Sequence, residues 1–347
     1  MAVTKFVLNE TSYFGEGARS VLADEIKNRG FKKVLVVTDK SLYEVGVSKK
    51  VTDILDEAGI EYGVYHDVLP NPPIANVNAG IQMCKEIGAD LIVAVGGGSS
   101  IDTAKAISII MTNPDRSDVV SLNGASNTKN KGLPIIAIVD TELMASMPKS
   151  IAASTGMDAL THAIEGYITK NRNTMSQMFS MKAIQLIYDN LDKAVNERDQ
   201  EAINNMGLGQ YIAGMAFSNV GLGIVHSMAH QLGAVYDTPH GLANAILLPT
   251  VMKFNGETSY EEYREILTQA FHTDATRFTK EEVIKTFCEK IKDLSEKVGI
   301  TQTVGDVGGK REDIPMLADK AMEDPCKPGN PRDVTREDFI KLYEEAM

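Results

Sequence analysis

The stretch DLIVAVGGGSSIDTAK (90–105) decides the fold of the N-terminal half of this chain. Its apolar part, 91–95, is short, rich in β-branched residues and closed by three glycines, which is typical of a buried strand that ends in a tight turn. The residues after the turn carry apolar side chains at helical spacing and predict a helix over 101–112. The stretch therefore predicts a strand–turn–helix unit, from which parallel sheets are built.

The same alternation of strand and helix runs through the first 140 residues. Short apolar runs predict strands at 33–39, 61–67, 90–98 and 133–140. Helical patterns lie between them, at 18–28, 48–58, 74–87 and 101–112. Strands of mostly Val, Ile and Leu that are separated by helices predict a parallel, Rossmann-like sheet covered on both faces. We therefore expect an α/β domain over residues 1–148.

The strand pattern disappears after about Pro148. Thr279 and Glu282 form a capping box that starts one helix, and Thr335 starts another that runs toward the end of the chain. The polar stretch NGASNTKNKG (123–132) is a surface loop by composition. We expect an all-α domain over residues 149–347.

Composition limits the partners of this protein. Of its 347 residues, 43% are hydrophobic and 24% are charged, as in ordinary globular proteins. The net charge of −12 argues against nucleic acid and anionic membranes as partners, and no apolar run is long enough to span a bilayer. The N-terminus lacks the pattern of a secretory signal, and three widely spaced cysteines predict neither disulfides nor a thiolate zinc site. We expect a cytoplasmic protein.

Two segments, GMDALTHAIEGY (156–167) and VHSMAHQLGAVYDTPHG (225–241), concentrate the residues that bind metals. Asp158 and His162 are four residues apart in a helical pattern, so both leave one face of one helix. His226 and His230 repeat that spacing, and His240 follows a Gly and a Pro that interrupt the helix. The chain has only six histidines, and four lie in these segments. One carboxylate and three imidazoles can fill most of the coordination shell of a divalent first-row metal.

Each pair also has a simpler interpretation. Asp158 and His162 alone would more often be a solvated helix pair, and His226 with His230 could be core or interface histidines. The combination favours a metal site because the surrounding pattern is apolar and otherwise nearly free of histidine. Nitrogen and oxygen ligands suit ferrous iron or zinc, and the sequence does not choose between them.

The glycine turn of the decisive stretch is a candidate phosphate site. Glycines let the backbone approach a phosphate closely, and the N–H groups of a helix start attract its charge. Ser99 is a plausible N-cap of that helix, with Asp102 three positions later. A tight turn also needs glycine for steric reasons alone, and the GxGxxG fingerprint of a standard dinucleotide fold is absent.

Asp39 ends the predicted strand 33–39 and has two interpretations. Its carboxylate could cap the following turn. Alternatively, it could accept a hydrogen bond from a ribose 2′-hydroxyl and repel a 2′-phosphate, which favours NAD over NADP.

Four motifs together resemble the iron-containing alcohol dehydrogenase family: GGGSSIDTAK (96–105), TGMDALTHAIEGY (155–167), FSNVGLGIVHSMAH (217–230) and DTPHGLANAILLP (237–249). The resemblance extends from NETSYFGEG (9–17) to CKPGNPRDVT (326–335). It implies an N-terminal dinucleotide-binding domain, a helical metal-binding domain, a cleft between them and a homodimer, in the architecture of dehydroquinate synthase-like proteins.

The resemblance also implies a role for individual residues. It implies that the metal ligands are Asp158, His162, His226 and His240. It implies that His230 is a histidine beside the nicotinamide that binds no metal and could relay a proton, although a hydrogen-bonded core histidine is the simpler role. The residues that match the family's cofactor-binding and cleft positions are Asp39, Asn71, Gly97, Gly98, Ser99, Asp102, Phe217 and Cys326. For Phe217 and Cys326, packing is an equally good explanation.

One departure from the family pattern follows Ile138. The family usually carries a threonine-rich segment and a hairpin there, which contact the pyrophosphate and the nicotinamide, whereas here VDTELMASMP (139–148) follows directly. Either the polypeptide lacks this segment or residues are missing between Ile138 and Val139. We expect missing residues, because every flanking motif is intact.

The activity that the resemblance implies is NAD(H)-linked interconversion of a small aldehyde such as lactaldehyde and an alcohol such as 1,2-propanediol, with Fe2+ or alternatively Zn2+. One rival is a zinc polyol (glycerol-type) dehydrogenase or a dehydroquinate-synthase-like enzyme. The motif DALTHAIEGY argues against both. The other rival is a non-catalytic metal- and nucleotide-binding protein, if the segment after Ile138 is truly absent.

Overall fold

The computed structural model describes residues 5–9, 11–70, 72–116 and 128–347, which form two compact units. One unit comprises residues 11–143 and the other comprises residues 144–347 together with the first ten residues. Strands occur among the described residues of the first unit, and helices make up the second. The expected combination of an α/β part and a helical part is confirmed.

The described residues of the α/β unit form two small parallel sheets. Its strands are β1 (Ser12–Gly15), β2 (Lys33–Asp39), β3 (Glu61–Val68), β4 (Leu91–Val95) and β5 (Ala137–Asp140). Its helices are α1 (Leu22–Asn28), α2 (Lys40–Glu44), α3 (Lys49–Ala58), α4 (Ile74–Ile87) and α5 (Gly98–Thr112), with α6 (Thr141–Met144) at its end. The larger sheet has the order β3-β2-β4, and the smaller sheet pairs β1 with β5.

The central strand β2 explains why helices cover both faces of the larger sheet. Leu35 and Val37 point into one apolar cluster, whereas Val34 and Val36 point into another, and all four side chains are buried. A strand with two buried faces needs apolar residues at consecutive positions. This requirement accounts for the near-continuous apolar run that the sequence shows.

Strand β5 differs from its prediction. Ile135 forms an isolated parallel bridge with Ile92 of β4, and regular pairing begins only at Ala137, where the partner is β1. Ile138 and Val139 are consecutive residues of β5, opposite Tyr13 and Phe14. One continuous strand therefore runs through Ile138 and Val139, and the expectation of missing residues between them stays a prediction.

Asp140 anchors the end of this strand. Its carboxylate accepts hydrogen bonds from the backbone N–H groups of Arg19 (3.0 Å), Gly17 (3.2 Å) and Glu142 (3.1 Å). The Arg19 guanidinium donates a further bond of 2.7 Å, and the Asp140 side chain is only 3% exposed. Asp140 thus ties the loop after β1 to the junction between β5 and α6.

The helical unit is built from α7 (Lys149–Ile168), α8 (Thr174–Asp192), α9 (Gln200–Val220), α10 (Ile224–Tyr236), α11 (His240–Gln269), α12 (Lys280–Lys297), α13 (Ile314–Glu323) and α14 (Arg336–Ala346). A single apolar core runs through it, in which the rings of Tyr263 and Phe287 stack 4.0 Å apart. The capping box of Thr279 with Glu282 is confirmed, and Thr335 caps α14 in the same way.

No single described helix is long and apolar enough to cross a membrane. Helices α9 and α10 taken together have the length and the apolar composition of a membrane span, but they are bent by 103° relative to each other.

Candidate metal centre

Helix α7 carries the first pair of predicted ligands. Asp158 and His162 lie one turn apart, and His162 Nδ1 is 2.8 Å from the backbone carbonyl oxygen of Asp158. This contact occupies Nδ1, so that Nε2 is the ring nitrogen left to bind a metal. The side chains of Asp158 and His162 are 19% and 17% exposed, which places them at the edge of the core.

Helix α10 carries His226, whose side chain is 1% exposed. The helix begins at Ile224 after Gly223, and its first turn lies against the carboxylate of Glu165. Glu165 accepts hydrogen bonds from the Val225 N–H (2.8 Å) and from His226 Nδ1 (2.6 Å). The hydrogen bond at Nδ1 makes Nε2 the free nitrogen of His226, and that atom lies 3.8 Å from Asp158 Oδ1.

Helix α11 begins at His240, the last of the four predicted ligands. Its Nε2 lies 3.6 Å from Asp158 Oδ1. Asn244, one turn further along α11, donates from Nδ2 to Asp158 Oδ1 (2.7 Å), and the same atom is 3.1 Å from His240 Nε2. Asn244 therefore links the first and third helices of the site.

The four side chains meet at one point. Each of Asp158, His162, His226 and His240 offers one ligand atom, and these atoms lie within 4.8 Å of one another. Two buried atoms there, His226 Nε2 and Asn244 Oδ1, have no hydrogen-bond partner. An unpaired buried polar atom is costly, and a cation at this point would engage His226 Nε2. Three imidazole nitrogens and one carboxylate fit a divalent first-row metal ion.

The electrostatics favour the protonation states that a metal requires. Burial lowers the pKa of His226 well below its ordinary value, and the neighbouring His162 adds to this effect. Burial by itself would raise the pKa of Asp158, but His162, His240 and His226 hold it below its ordinary value. A neutral imidazole and an ionised carboxylate are the forms that bind metals.

Glu165 and Asn244 were missed by the sequence analysis. Glu165 lies three residues after His162, on the same face of α7, and that spacing was the signal that could have found it. Its side chain is 1% exposed, and burial raises its pKa to about 7 against the hydrogen bonds from Val225 and Gly223. Asn244 follows His240 by one helical turn, so the same spacing rule applies to it.

His230 and Cys326 belong to a second group beside the first. His230, Asp324 and Cys326 offer ligand-type atoms within 4.8 Å of one another, and the His230 ring stacks on that of His240 with centroids 5.5 Å apart. The ring of Phe217 lies 4.4 Å from that of His162. All these residues are in the helical unit.

The glycine turn lies in the α/β unit, and one expectation for it is wrong. Helix α5 begins at Gly98 with Gly97 as its N-cap, so Ser99 lies inside the first turn and does not cap the helix. Glycine at the N-cap leaves the first N–H groups without a side-chain partner, which is the arrangement that binds anions. A Cβ added at Gly97 or Gly98 would meet nothing within 4 Å, so the turn is open.

Gly96 has a steric role in this turn. Its φ of +147° is strained for any other residue, and a Cβ there would lie 2.7 Å from Ser100 Oγ. Asp102, also predicted to bind the cofactor, forms an exposed ion pair of 3.3 Å with Lys105.

Asp39 lies at the same edge of the sheet as the glycine turn. Strands β2 and β4 are neighbours, with Thr38 opposite Val95, so both strands end side by side. Asp39 caps α2, because its Oδ1 accepts a hydrogen bond of 2.9 Å from the Leu42 N–H. This bond uses one carboxylate oxygen. Asn71, the remaining predicted cofactor residue, lies outside the described residues.

Comparisons with known proteins cover the whole chain. Residues 9–152 match the sequence model of "Iron-containing alcohol dehydrogenase", and residues 152–347 match "Fe-containing alcohol dehydrogenase family, C-terminal". A similar curated protein is lactaldehyde reductase of Escherichia coli K12, at 43% identity with 99% of both chains covered. NAD-dependent methanol dehydrogenase of Bacillus methanolicus is 34% identical over 99% of this chain and all of its own. A crystal structure of 1,3-propanediol oxidoreductase superposes with a TM-score of 0.95 at 33% identity, over the full length of both chains.

The first of these alignments also bears on the departure after Ile138. It extends over 380 positions, whereas this chain has 347 residues, so at least 33 positions face gaps in this chain. A shortfall of this size fits a chain that lacks the family's segment after Ile138.

Proposed function

The chain belongs to the iron-containing alcohol dehydrogenase family and is a metal-dependent oxidoreductase of alcohols and aldehydes, and from this premise we propose that it uses NADH to reduce a small, lactaldehyde-like aldehyde. The reverse reaction oxidises a 1,2-propanediol-like alcohol with NAD. The 43% identity to lactaldehyde reductase supports this choice of substrate. The convergence of Asp158, His162, His226 and His240 is the observation that carries the proposal.

These four residues would hold Fe2+, with Zn2+ as the alternative. When bound, the ion supplies Lewis acidity at the carbonyl oxygen, and NADH supplies the hydride. Glu165 accepts a hydrogen bond from His226 Nδ1 and so keeps Nε2 free to bind the ion. Asn244 orients the Asp158 carboxylate from the opposite helix.

His230 would handle the proton. In alcohol oxidation the hydroxyl group loses its proton, and His230 Nε2 accepts that proton and passes it to water. In aldehyde reduction the same atom returns a proton to the oxygen. The His230 side chain is 39% exposed, so solvent can reach it, and its Nδ1 is already bonded to Asp324.

The α/β unit would hold the dinucleotide. The open N-terminus of α5 at Gly97 and Gly98 would bind its phosphates, with Ser99 and Asp102 in the same turn. Asp39 would accept from the adenosine ribose, and its charge would favour NAD over NADP. Asn71 and Cys326 complete the proposed cofactor set. We further propose that the two units serve as dinucleotide-binding and metal-binding domains of a cytoplasmic homodimer.

Anaerobic reconstitution tests this proposal. The purified full chain is loaded with Fe2+ or Zn2+, and NADH oxidation is followed at 340 nm with lactaldehyde, short unbranched aldehydes and dihydroxyacetone. We expect activity that depends on metal and is highest with lactaldehyde and Fe2+. Activity highest with dihydroxyacetone and Zn2+ would instead identify a polyol dehydrogenase.

The shortened segment after Ile138 sets a stricter test. The resemblance to the family implies that this segment contacts the cofactor, so a chain without it must bind NADH through the remaining residues. NADH binding without aldehyde-dependent oxidation of NADH, in protein with a full metal content, would contradict the proposed catalytic function.

A further inference from the structure

The residues beside the metal centre form a separate hydrogen-bonded unit. His230 lies on α10, and Asp324 follows the last residue of α13. His230 Nδ1 is 2.8 Å from Asp324 Oδ2, and the backbone N–H of Cys326 donates to Asp324 Oδ1 at 2.9 Å. Gln231 Nε2 makes a longer contact of 3.4 Å with Oδ2. The Asp324 side chain is only 6% exposed.

This unit differs from the metal centre in one respect. In the proposed metal centre, His226 Nε2 and Asn244 Oδ1 are buried without partners, whereas no side-chain oxygen of Asp324 is among the unpartnered buried atoms of the described residues. The Asp324 carboxylate already has partners without an ion. We therefore interpret the group of His230, Asp324 and Cys326 as a hydrogen-bond network and not as a second metal site.

The Cys326 N–H and the Gln231 Nε2 both donate to the Asp324 carboxylate. Burial by itself would raise its pKa, but hydrogen bonds from His230 and from the Cys326 N–H lower it. An ionised carboxylate can only accept, so the His230 nitrogen that faces it must carry a proton. The imidazole then keeps its lone pair on Nε2.

We propose that Asp324 is a positioning residue that holds His230 in the tautomer with the proton on Nδ1 and the lone pair on Nε2. Stacking against His240, with an interplanar angle of 18°, limits the orientation of the ring. The contact with Asp324 limits the rotation of the His230 ring and determines which of its nitrogens carries the proton. The role in turnover rests on the proposed function, because the proton that Nε2 accepts is that of the alcohol substrate.

Asp324→Asn is the decisive variant, because the backbone determines how the new amide must lie. The Cys326 N–H donates to the atom at the Oδ1 position, so the amide oxygen must take that place. The amide NH2 then takes the Oδ2 position and faces His230 Nδ1. An NH2 group donates there, so Nδ1 must accept and the proton must move to Nε2. The variant therefore inverts the tautomer with almost no change of shape.

The tautomer is read by nitrogen NMR. The Zn2+-loaded full chain is labelled with 15N-histidine, and long-range 1H–15N spectra distinguish the protonated from the bare ring nitrogen of each histidine. A His230→Gln sample assigns the signals of His230. Glu323→Gln is the matched control, because it removes an exposed carboxylate one residue from Asp324. We expect Nδ1–H in the wild type and in the control, and Nε2–H in Asp324→Asn.

Activity and metal content complete the experiment. We expect kcat of Asp324→Asn to fall by about 100-fold, the typical contribution of a positioned proton acceptor, with KM for the aldehyde and zinc content unchanged. A wild-type signal with the proton on Nε2, or an unchanged tautomer in Asp324→Asn, would overturn the proposal. Binding of a second Zn2+ that Cys326→Ser abolishes would overturn it too. Loss of aldehyde reduction in the wild type would contradict the proposed function, while the NMR comparison would still decide the role of Asp324.

Discussion

His226 Nδ1 lies 2.6 Å from Glu165 Oε2, and both side chains are 1% exposed. This buried pair connects the side of α10 that carries a proposed metal ligand to α7, the helix that carries Asp158 and His162. The second oxygen of Glu165 accepts from the Val225 N–H, so the carboxylate is held on both sides. The carboxylate favours the His226 tautomer with Nε2 free, and the affinity of the proposed metal site would depend on that tautomer.

Glu165→Gln tests this dependence. Because the Val225 N–H must face the amide oxygen, the amide NH2 would face His226 Nδ1 and move the ring proton to Nε2. We expect metal affinity to fall by about 10- to 100-fold. Isothermal titration with Zn2+ measures it, and Glu265→Gln, which alters an exposed carboxylate bonded to Tyr167, serves as the control. Equal affinity in the two variants would show that the tautomer of His226 does not matter.

His240→Ala and His230→Ala should separate binding from proton transfer. We expect His240→Ala to lose metal and activity together, since it removes a proposed ligand. His230→Ala should retain metal and lose about 100-fold in kcat. Metal analysis after gel filtration and NADH oxidation measure the two properties, with the exposed His272→Ala as control. Full activity in a His240→Ala chain without metal would refute the proposed centre.

The glycine turn allows a matched pair of substitutions. Gly96→Ala places a Cβ 2.7 Å from Ser100 Oγ at a φ of +147°, so we expect a loss of about 1–3 kcal/mol in the free energy of unfolding. Gly98→Ala meets nothing within 4 Å, so stability should hold or rise. If the dinucleotide lies against this turn, Gly98→Ala should still weaken NADH binding by about 10-fold, or about 1.4 kcal/mol. Urea unfolding and NADH fluorescence titration give the two quantities. Unchanged NADH affinity would place the cofactor elsewhere.

Asp39→Ser should change cofactor preference without removing the helix cap. Serine can accept from the Leu42 N–H as Asp39 does, but it carries no charge to repel a 2′-phosphate. We expect the ratio of kcat/KM for NADPH to that for NADH to rise by about 10-fold, which is about 1.4 kcal/mol. Steady-state kinetics with both cofactors measures the ratio. A constant ratio would leave Asp39 with a capping role alone.

Asp140→Asn should make the α/β unit less stable in a pH-dependent way. Burial would raise the pKa of Asp140, but the Arg19 N–H and guanidinium hold it below its ordinary value. A carboxyl with a lowered folded-state pKa stabilises the protein above its unfolded pKa of about 3.9, and that stabilisation disappears as the pH falls further. We expect Asp140→Asn to cost about 2 kcal/mol at neutral pH and less near pH 3.

Urea unfolding at several pH values measures this effect. The control is Asp53→Asn, which removes an exposed i,i+4 partner of Lys49 and should cost less than about 0.5 kcal/mol. A cost for Asp140→Asn that stays the same down to pH 3 would contradict the ionised state of Asp140.

Local sequence patterns predicted several helices and strands of this protein. Strand β2 and helix α4 were predicted with the bounds that the structure has, because apolar periodicity and flanking glycines or prolines mark such elements. The capping boxes at Thr279 and Thr335 were equally local. The predicted start of α5 was less accurate. A glycine N-cap has no side chain that marks it in the sequence, whereas Ser99 is a residue type that commonly caps helices.

The sequence by itself determined which side chains could bind a metal, since helical spacing alone puts Asp158 with His162 and His226 with His230. Only the tertiary structure decided that three helices bring ligand atoms of Asp158, His162, His226 and His240 within 4.8 Å of one another, and that carboxylates of Glu165 and Asp324 face Nδ1 of His226 and of His230. Strand β5, which runs unbroken from Ile138 to Val139, was likewise decided by pairing with a strand more than a hundred residues earlier. Periodicity reports which face of an element is apolar, whereas these contacts depend on how distant elements pack, and no local pattern encodes that.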